Sequence, residues 1–297
     1  MLKTAAQPPC QNFVILQPMN RTNNKKIKIA ILDLYEGAAN QGMRCLQQIV
    51  DEWALKKNKD VQLDIFDVRL KLELPDLSYD AYISSGGPGS PLDTAGLEWD
   101  KKFMHWIKQV NNWNNDFSNY PKKHVFFICH SFQLACRHFK VGNVCARNST
   151  SFGTFPVHMT FDGANEMVFA GMKDPFYAVD SRDYQVIQPN HNRLKEMGAK
   201  ILAIEKERPH VRYERAIMAI RFNDYFIGTQ FHPEADAVGM TVHLHTPDRK
   251  ETVIKNYGEA KWQSMIEHLN DPDKILWTYS HIIPNFLNIA IEELVEN

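Results

Sequence analysis

A chain of 297 residues is long enough for one large α/β domain or two smaller ones, and needs no disulfide or metal staple to bury a core. Thirty-four Lys and Arg against 35 Asp and Glu give a formal net charge of -1. That balance excludes the basic footprint of a dedicated nucleic-acid binder and the polybasic run of a membrane anchor. At 44% hydrophobic and 11% aromatic the composition is that of a globular protein, and no stretch reaches the ~18 apolar residues of a membrane-spanning helix.

Residues 1–26 are polar and Pro/Asn-rich, read as a loose N-terminal extension with no apolar h-region of a secretory signal. Periodicity begins at Ile27, where IKIAILDL has the β-branched run of a buried parallel strand. A turn at 37–41 leads to a helix over 41–57, then strands at VQLDIFDV (61–68) and AYISS (81–85). The second of these runs straight into Gly86-Gly87-Pro88-Gly89. Trp99, Phe103, Trp106, Val110 and Trp113 recur at helical spacing, predicting an amphipathic helix over 97–113 whose stripe packs in the core.

HVFFIC (124–129) reads as a fourth strand, and Phe132, Ala135, Cys136 and Phe139 form one face of the helix after it. Strands alternating with helices predict a doubly wound, mostly parallel α/β sheet covered on both faces. Further strands are expected at TFPVHMTF, KILAIEK, RAIMAIRF and DYFIGTQF. The remainder is helical: an insertion over about 241–274 and a closing helix over about 275–296, with Pro284 expected to kink that helix or start a new one. Residues 27–297 are thus read as one domain. The cysteines are Cys10, Cys45, Cys129, Cys136 and Cys145, without a CxxC pair. This reads as reduced thiols of a cytoplasmic protein.

Ligands of open parallel sheets bind beyond the carboxyl ends of the strands. Three segments place reactive residues there: Ser84 to Ser90, Cys129 to Gln133, and Gln230 to Glu234. Cys129 ends a strand and heads a helix, where the helix dipole favours thiolate and a sharp turn exposes the side chain. The plain alternative is a small buried hydrophobe. His232 and Glu234, two residues apart on an extended segment, share a face, so an imidazole that moves a proton is backed by a carboxylate that orients it. The glycines of SSGGPGS let backbone N–H groups approach a ligand. With the N–H of His130 they form a candidate oxyanion hole. The loop lacks the Lys-Ser/Thr ending of a P-loop. His243 and His245 share a face by strand period, but no Cys, Asp or Glu at ligand spacing joins them, and no metal or cofactor is assigned.

Gly-Gly-Pro-Gly-Ser, then Cys-x-x-x-Gln, then Gln-Phe-His-Pro-Glu, in this order over roughly 27–240, resembles the class I, triad-type glutamine amidotransferase domain, and within it the glutaminase part of GMP synthase and its stand-alone relatives. The resemblance implies a flavodoxin-like fold and a cysteinyl-thioester mechanism on a γ-glutamyl amide. It makes Cys129 the nucleophile, His232 the general base and acid, and Glu234 its orienter. Gly87 and His130 supply oxyanion N–H groups, and Gln133 helps hold the substrate. Two departures stand out. Ser131 occupies the elbow position where the family has glycine, which predicts a strained turn. Arg182 stands where many relatives carry a substrate-binding His, which opens the acyl substrate beyond free glutamine. No acceptor domain is evident on the chain, so ammonia goes to a separate subunit or is released. A γ-glutamyl peptidase acting on a small conjugate and a non-catalytic binding member are the competing readings.

Overall fold

The computed structural model describes residues 26–209, 211–245, 250–251, 253–255, 258–269 and 271–292. The extension read at 1–26 lies outside them except for Lys26. The framework is a nine-stranded sheet in the order β2-β1-β3-β4-β9-β8-β7-β5-β6. Five strands are mutually parallel: β1 (Ile27–Asp33), β2 (Val61–Asp67), β3 (Ala81–Ser84), β4 (His124–Ile128) and β9 (Phe226–Thr229). Their order is the flavodoxin-like 2-1-3-4-5, with the direction of winding switching between β1 and β3. The remaining strands, β5 (Asn143–Met159), β6 (Phe176–Ile187), β7 (Lys200–Glu205) and β8 (Ile217–Arg221), extend the sheet by antiparallel pairing.

Strand alternation sends successive side chains to opposite faces, and both faces are apolar. Ile29, Ile31, Ile83 and Phe126 pack against α1 (Gly42–Lys57) and the closing helix, which runs Pro272–Glu292. Ala30, Leu32, Tyr82 and Phe127 pack against α2 (Glu98–Asn115) and α3 (His130–Phe139). The stripe of Trp99, Phe103, Trp106 and Val110 is buried, as its spacing predicts, each side chain adding roughly 1.5–3 kcal/mol of burial. Trp113 sits at the edge, donating Nε1 to the Pro121 carbonyl at 3.0 Å.

Three local expectations change. The strand β6 was not foreseen. It forms a long ribbon with β5, whose register shifts between Ala146 and Ser151. Pro284 lies inside one helix and so does not start a new one; the burial of Ile282, Ile283, Phe286 and Leu287 on both sides offsets the lost backbone bond and ring clash, together worth about 3 kcal/mol. The segment carrying His243 and His245 is not a strand: Ala237–Leu244 is helical, so the period-two argument for a shared face does not apply. The side chain of His243 lies outside the described residues. The ring of His245 pairs Nδ1 with the Thr241 carbonyl at 2.8 Å and meets Trp262 edge-on. Among the described residues no cluster of three or more His, Cys, Asp or Glu fits a metal ion, and no helix is long and apolar enough to cross a membrane.

Candidate active site

Parallel strands that all end at one edge bring distant segments together, and β1, β3, β4 and β9 do this here. Their ends surround a cleft of about 360 Å³ lined by Tyr35, Gly87, Cys129, His130, Gln133, His232 and Glu234, among others. All six residues singled out from sequence as site residues therefore meet at one cleft.

Cys129 is the pivot between β4 and α3. Its backbone has φ 47° and ψ -97°, a positive-φ conformation that costs a non-glycine residue about 1–3 kcal/mol. Its N–H donates to the Thr229 carbonyl at 2.8 Å, which anchors the elbow on β9. The strain sits at Cys129 and not at Ser131, contrary to expectation. Ser131 is fully buried in the first turn of α3 and is absent from the positive-φ residues. Its hydroxyl accepts from Ile128 N–H at 2.8 Å and donates to the Ser84 carbonyl at 2.8 Å. The β3–β4 ladder ends at the pair Ser84–Phe127, so this hydroxyl bridges the two strands where direct pairing stops.

His232 lies within hydrogen-bond reach of the Cys129 thiol, and its Nδ1 is 2.8 Å from Glu234 Oε1. That leaves Nε2 for the sulfur. Its own N–H donates to the Val179 carbonyl, pinning the segment to β6. Burial disfavours charge on His232, but Glu234 and Cys129 together outweigh it and hold the imidazole well above its ordinary range. The arrangement therefore favours the charged imidazolium of His232.

The glycine loop is held from behind. Ser85 Oγ accepts from Leu34 N–H at 3.0 Å, and Arg69 Nη1 donates to the Pro88 carbonyl at 2.7 Å while its guanidinium stacks on Trp99. A Cβ at Gly87 would collide with the Leu34 carbonyl, and one at Gly86 would lie 2.9 Å from His232 Cε1. Gly86 thus lets the loop approach the imidazole, and Gly87 lets it pass close to the backbone just beyond β1. The His130 ring is buried, and burial, with Arg69 and Arg137 nearby, pushes it down to about 3. It stays neutral and turned away in the core beside Trp99, so the chemistry available from His130 is that of its main chain.

Gln133 lines the cleft, yet its Nε2 donates to Gln230 Oε1 at 3.2 Å, and Gln230 Nε2 in turn donates to Cys129 Sγ at 3.7 Å. Arg182 also departs from expectation. Its side chain is 1% exposed and is consumed by Asp180 at 2.8 Å, Glu205 at 3.2 Å and the Tyr184 carbonyl. It is a buried ion-pair hub that also borders the cleft, with its guanidinium engaged by protein partners.

Sequence reasoning missed Gln230 as a contact of the sulfur and missed Tyr35 altogether. Tyr35 follows β1 at the switch point, the place where strand ends commonly carry ligands, and that position was the available signal. Its hydroxyl sits against Gly42 and Gly86. Burial, then the charges of Glu234 and Cys129, push its phenol well above its ordinary value, which keeps it a neutral donor.

Comparison with known proteins bears on the fold and the family. A glutamine amidotransferase from Thermotoga maritima superposes with a TM-score of 0.60 at 16% identity, covering 90% of this chain and 99% of that one. A putative GMP synthase subunit from Thermoplasma acidophilum gives 0.52 at 15% identity, covering 92% and 99%. The glutaminase domain of Trypanosoma brucei CTPS with bound acivicin gives 0.54 at 16% identity, covering 90% and 94%. At these identities the likeness shows the fold. No curated protein matches the chain in sequence. The model of the family described as glutamine amidotransferase class-I matches residues 31–244, a span that holds the elbow, the glycine loop and the His-Pro-Glu segment, and the chain belongs to that family.

Proposed function

We propose that the chain is a cysteine amidohydrolase that opens the γ-amide of glutamine or of a small γ-glutamyl compound. His232 Nε2 takes the Cys129 proton and the sulfur attacks the γ-carbonyl carbon. The oxyanion that forms is met by the N–H groups of Gly87 and His130, a contribution worth about 2.7–4 kcal/mol per donor in acyl transfer. The C–N bond then breaks as His232 returns the proton to the leaving ammonia or amine. Water, deprotonated by the same imidazole, cleaves the thioester to glutamate and free thiol. Glu234 fixes the tautomer and balances the imidazolium. Gln133 contributes to holding the substrate and, through Gln230, to orienting the sulfur.

The observation that carries this reading is one cleft in which a thiol on a strained elbow, an imidazole in reach of it and a buried carboxylate 2.8 Å behind lie in line. Released ammonia goes to water or to a separate acceptor protein. Among the similar structures, the CTPS glutaminase domain and the GMP synthase subunit support the second route.

The test is ammonia or amine release from glutamine and from a panel of γ-glutamyl dipeptides and amides. Release from glutamine supports a glutaminase, and release confined to conjugates supports a γ-glutamyl peptidase. In both cases Cys129→Ala and His232→Ala should lose activity by similar factors, with the double variant no worse than either, since members of one catalytic unit are not additive. Wild-type protein inert toward the whole panel, alone and with a cell extract supplying an acceptor protein, would remove the enzyme reading in favour of a binding role.

A further inference from the structure

A second cleft, of about 340 Å³, lies between the bulged part of β5 and the segment that follows β7. Thr150 and Phe152 line both clefts, so one strand is their common wall. The proposed thioester chemistry makes no use of this second space.

Its floor is a charge cluster built around Glu205. Arg147 Nη1 lies 3.1 Å and Arg182 Nη2 3.2 Å from Glu205 Oε1, and Arg208 Nη2 lies 2.9 Å from Oε2. Arg182 also pairs with Asp180 at 2.8 Å. The side chains of Arg147, Arg182, Asp180 and Glu205 are all at least nine-tenths buried, and that of Arg208 is 14% exposed. Among these described residues three guanidiniums face two carboxylates. Arg215 adds a fourth guanidinium, donating Nε to the Glu205 carbonyl. Arg208 Nη2 and Glu205 Oε2 meet as an ion pair without hydrogen-bond geometry, and Arg215 Nη2 is buried with no acceptor. At the rim the Lys206 ammonium, seated over Phe155, offsets the exposed Glu207.

A guanidinium cannot shed its proton in a protein, so the excess positive charge persists at any working pH. Buried charge without a counter-charge is unfavourable, and the planar fork matches an oxyanion with two parallel hydrogen bonds. Of these arginines, Arg147 and Arg208 line the open cleft. We propose that the second cleft is a binding site for a small oxyanion, the phosphate or carboxylate group of a ligand, held by Arg147 and Arg208.

The experiment is calorimetric titration of the full chain with inorganic phosphate and, separately, with acetate, against sodium chloride at matched ionic strength. The expected result is saturable one-site binding with a Kd below about 10 mM for at least one anion and none for chloride, weakened at least tenfold in Arg208→Gln. The tighter anion names the ligand group. Because a variant in a charge cluster can fail to fold, the wild-type protein is also treated with phenylglyoxal, and modified arginines are mapped with and without phosphate. Protection of Arg147 and Arg208 supports the site independently of any variant. No saturable binding of either anion, or binding undiminished in folded Arg208→Gln without protection of those arginines, overturns it. Neither readout depends on turnover at Cys129.

Discussion

Replacing Ser131 by glycine gives the elbow the residue that the family resemblance leads one to expect there, and the structure predicts that it destabilises this chain. The Ser131 hydroxyl is fully buried and bridges Ile128 N–H to the Ser84 carbonyl, each at 2.8 Å. Removing it leaves a buried donor and a buried acceptor without each other. A group left unsatisfied costs about 1–3 kcal/mol, and glycine in a helical turn adds roughly 0.5–1 kcal/mol of lost chain entropy. A water filling the vacated volume would recover part of this, so the net loss for Ser131→Gly is about 2–3 kcal/mol. Ser131→Ala, which lacks the entropy contribution, should lose about 1–2 kcal/mol. At about 2 °C per kcal/mol for a chain of this size, the glycine variant should melt roughly 4–6 °C lower, with alanine between it and wild type. Differential scanning calorimetry of the three proteins reads this directly. A glycine variant that melts within about 1 °C of wild type, or higher, would show that the hydroxyl bridge carries no stability and that serine strains the elbow after all.

Limiting iodoacetamide should label Cys129 before Cys45 and Cys136, since burial pushes the Cys45 thiol up to about 12 and holds Cys136 well above its ordinary value; peptide mapping that finds either of those first refutes the nucleophile assignment. Glu234→Gln removes the charge that raises His232, so imidazolium gives way to neutral imidazole at lower pH. The His232 midpoint, followed by its ring-proton NMR signal, should then move down by about one unit or more, and an unchanged midpoint argues against the coupling. Gln230→Leu deletes the donor 3.7 Å from Cys129 Sγ and should slow Cys129 alkylation at fixed pH by about three- to tenfold, with Gln133→Leu giving a smaller effect of the same sign and an unchanged rate refuting the role of this contact. Arg182→Met leaves Asp180 and Glu205 short of a partner and should destabilise by about 3–5 kcal/mol, read from the thermal midpoint; a loss below about 1 kcal/mol would return Arg182 to the list of substrate-facing residues.

What the sequence determined by itself is what local periodicity and strand-end position can carry. The runs IKIAILD and HVFFI are apolar at every or nearly every position because both faces of a parallel strand are covered, and that pattern is visible without partners. Cys129, the glycine loop and His232 with Glu234 were legible because each stands just beyond a strand, and parallel strands of a doubly wound sheet deliver those ends to one edge. Their meeting at one cleft follows from topology alone. Only the tertiary structure decided what the remaining polar residues do, since their partners lie far away in the chain. Ser131 finds Ser84 forty-seven residues back, Gln133 finds Gln230 ninety-seven residues on, and Arg182 on β6 reaches Glu205 on β7 across the intervening strand β5. A hydroxyl, an amide or a guanidinium carries no periodic signature of the group that will satisfy it. Burial forces each to be paired, but which partner it meets is set by the register and packing of elements that come together only in the fold.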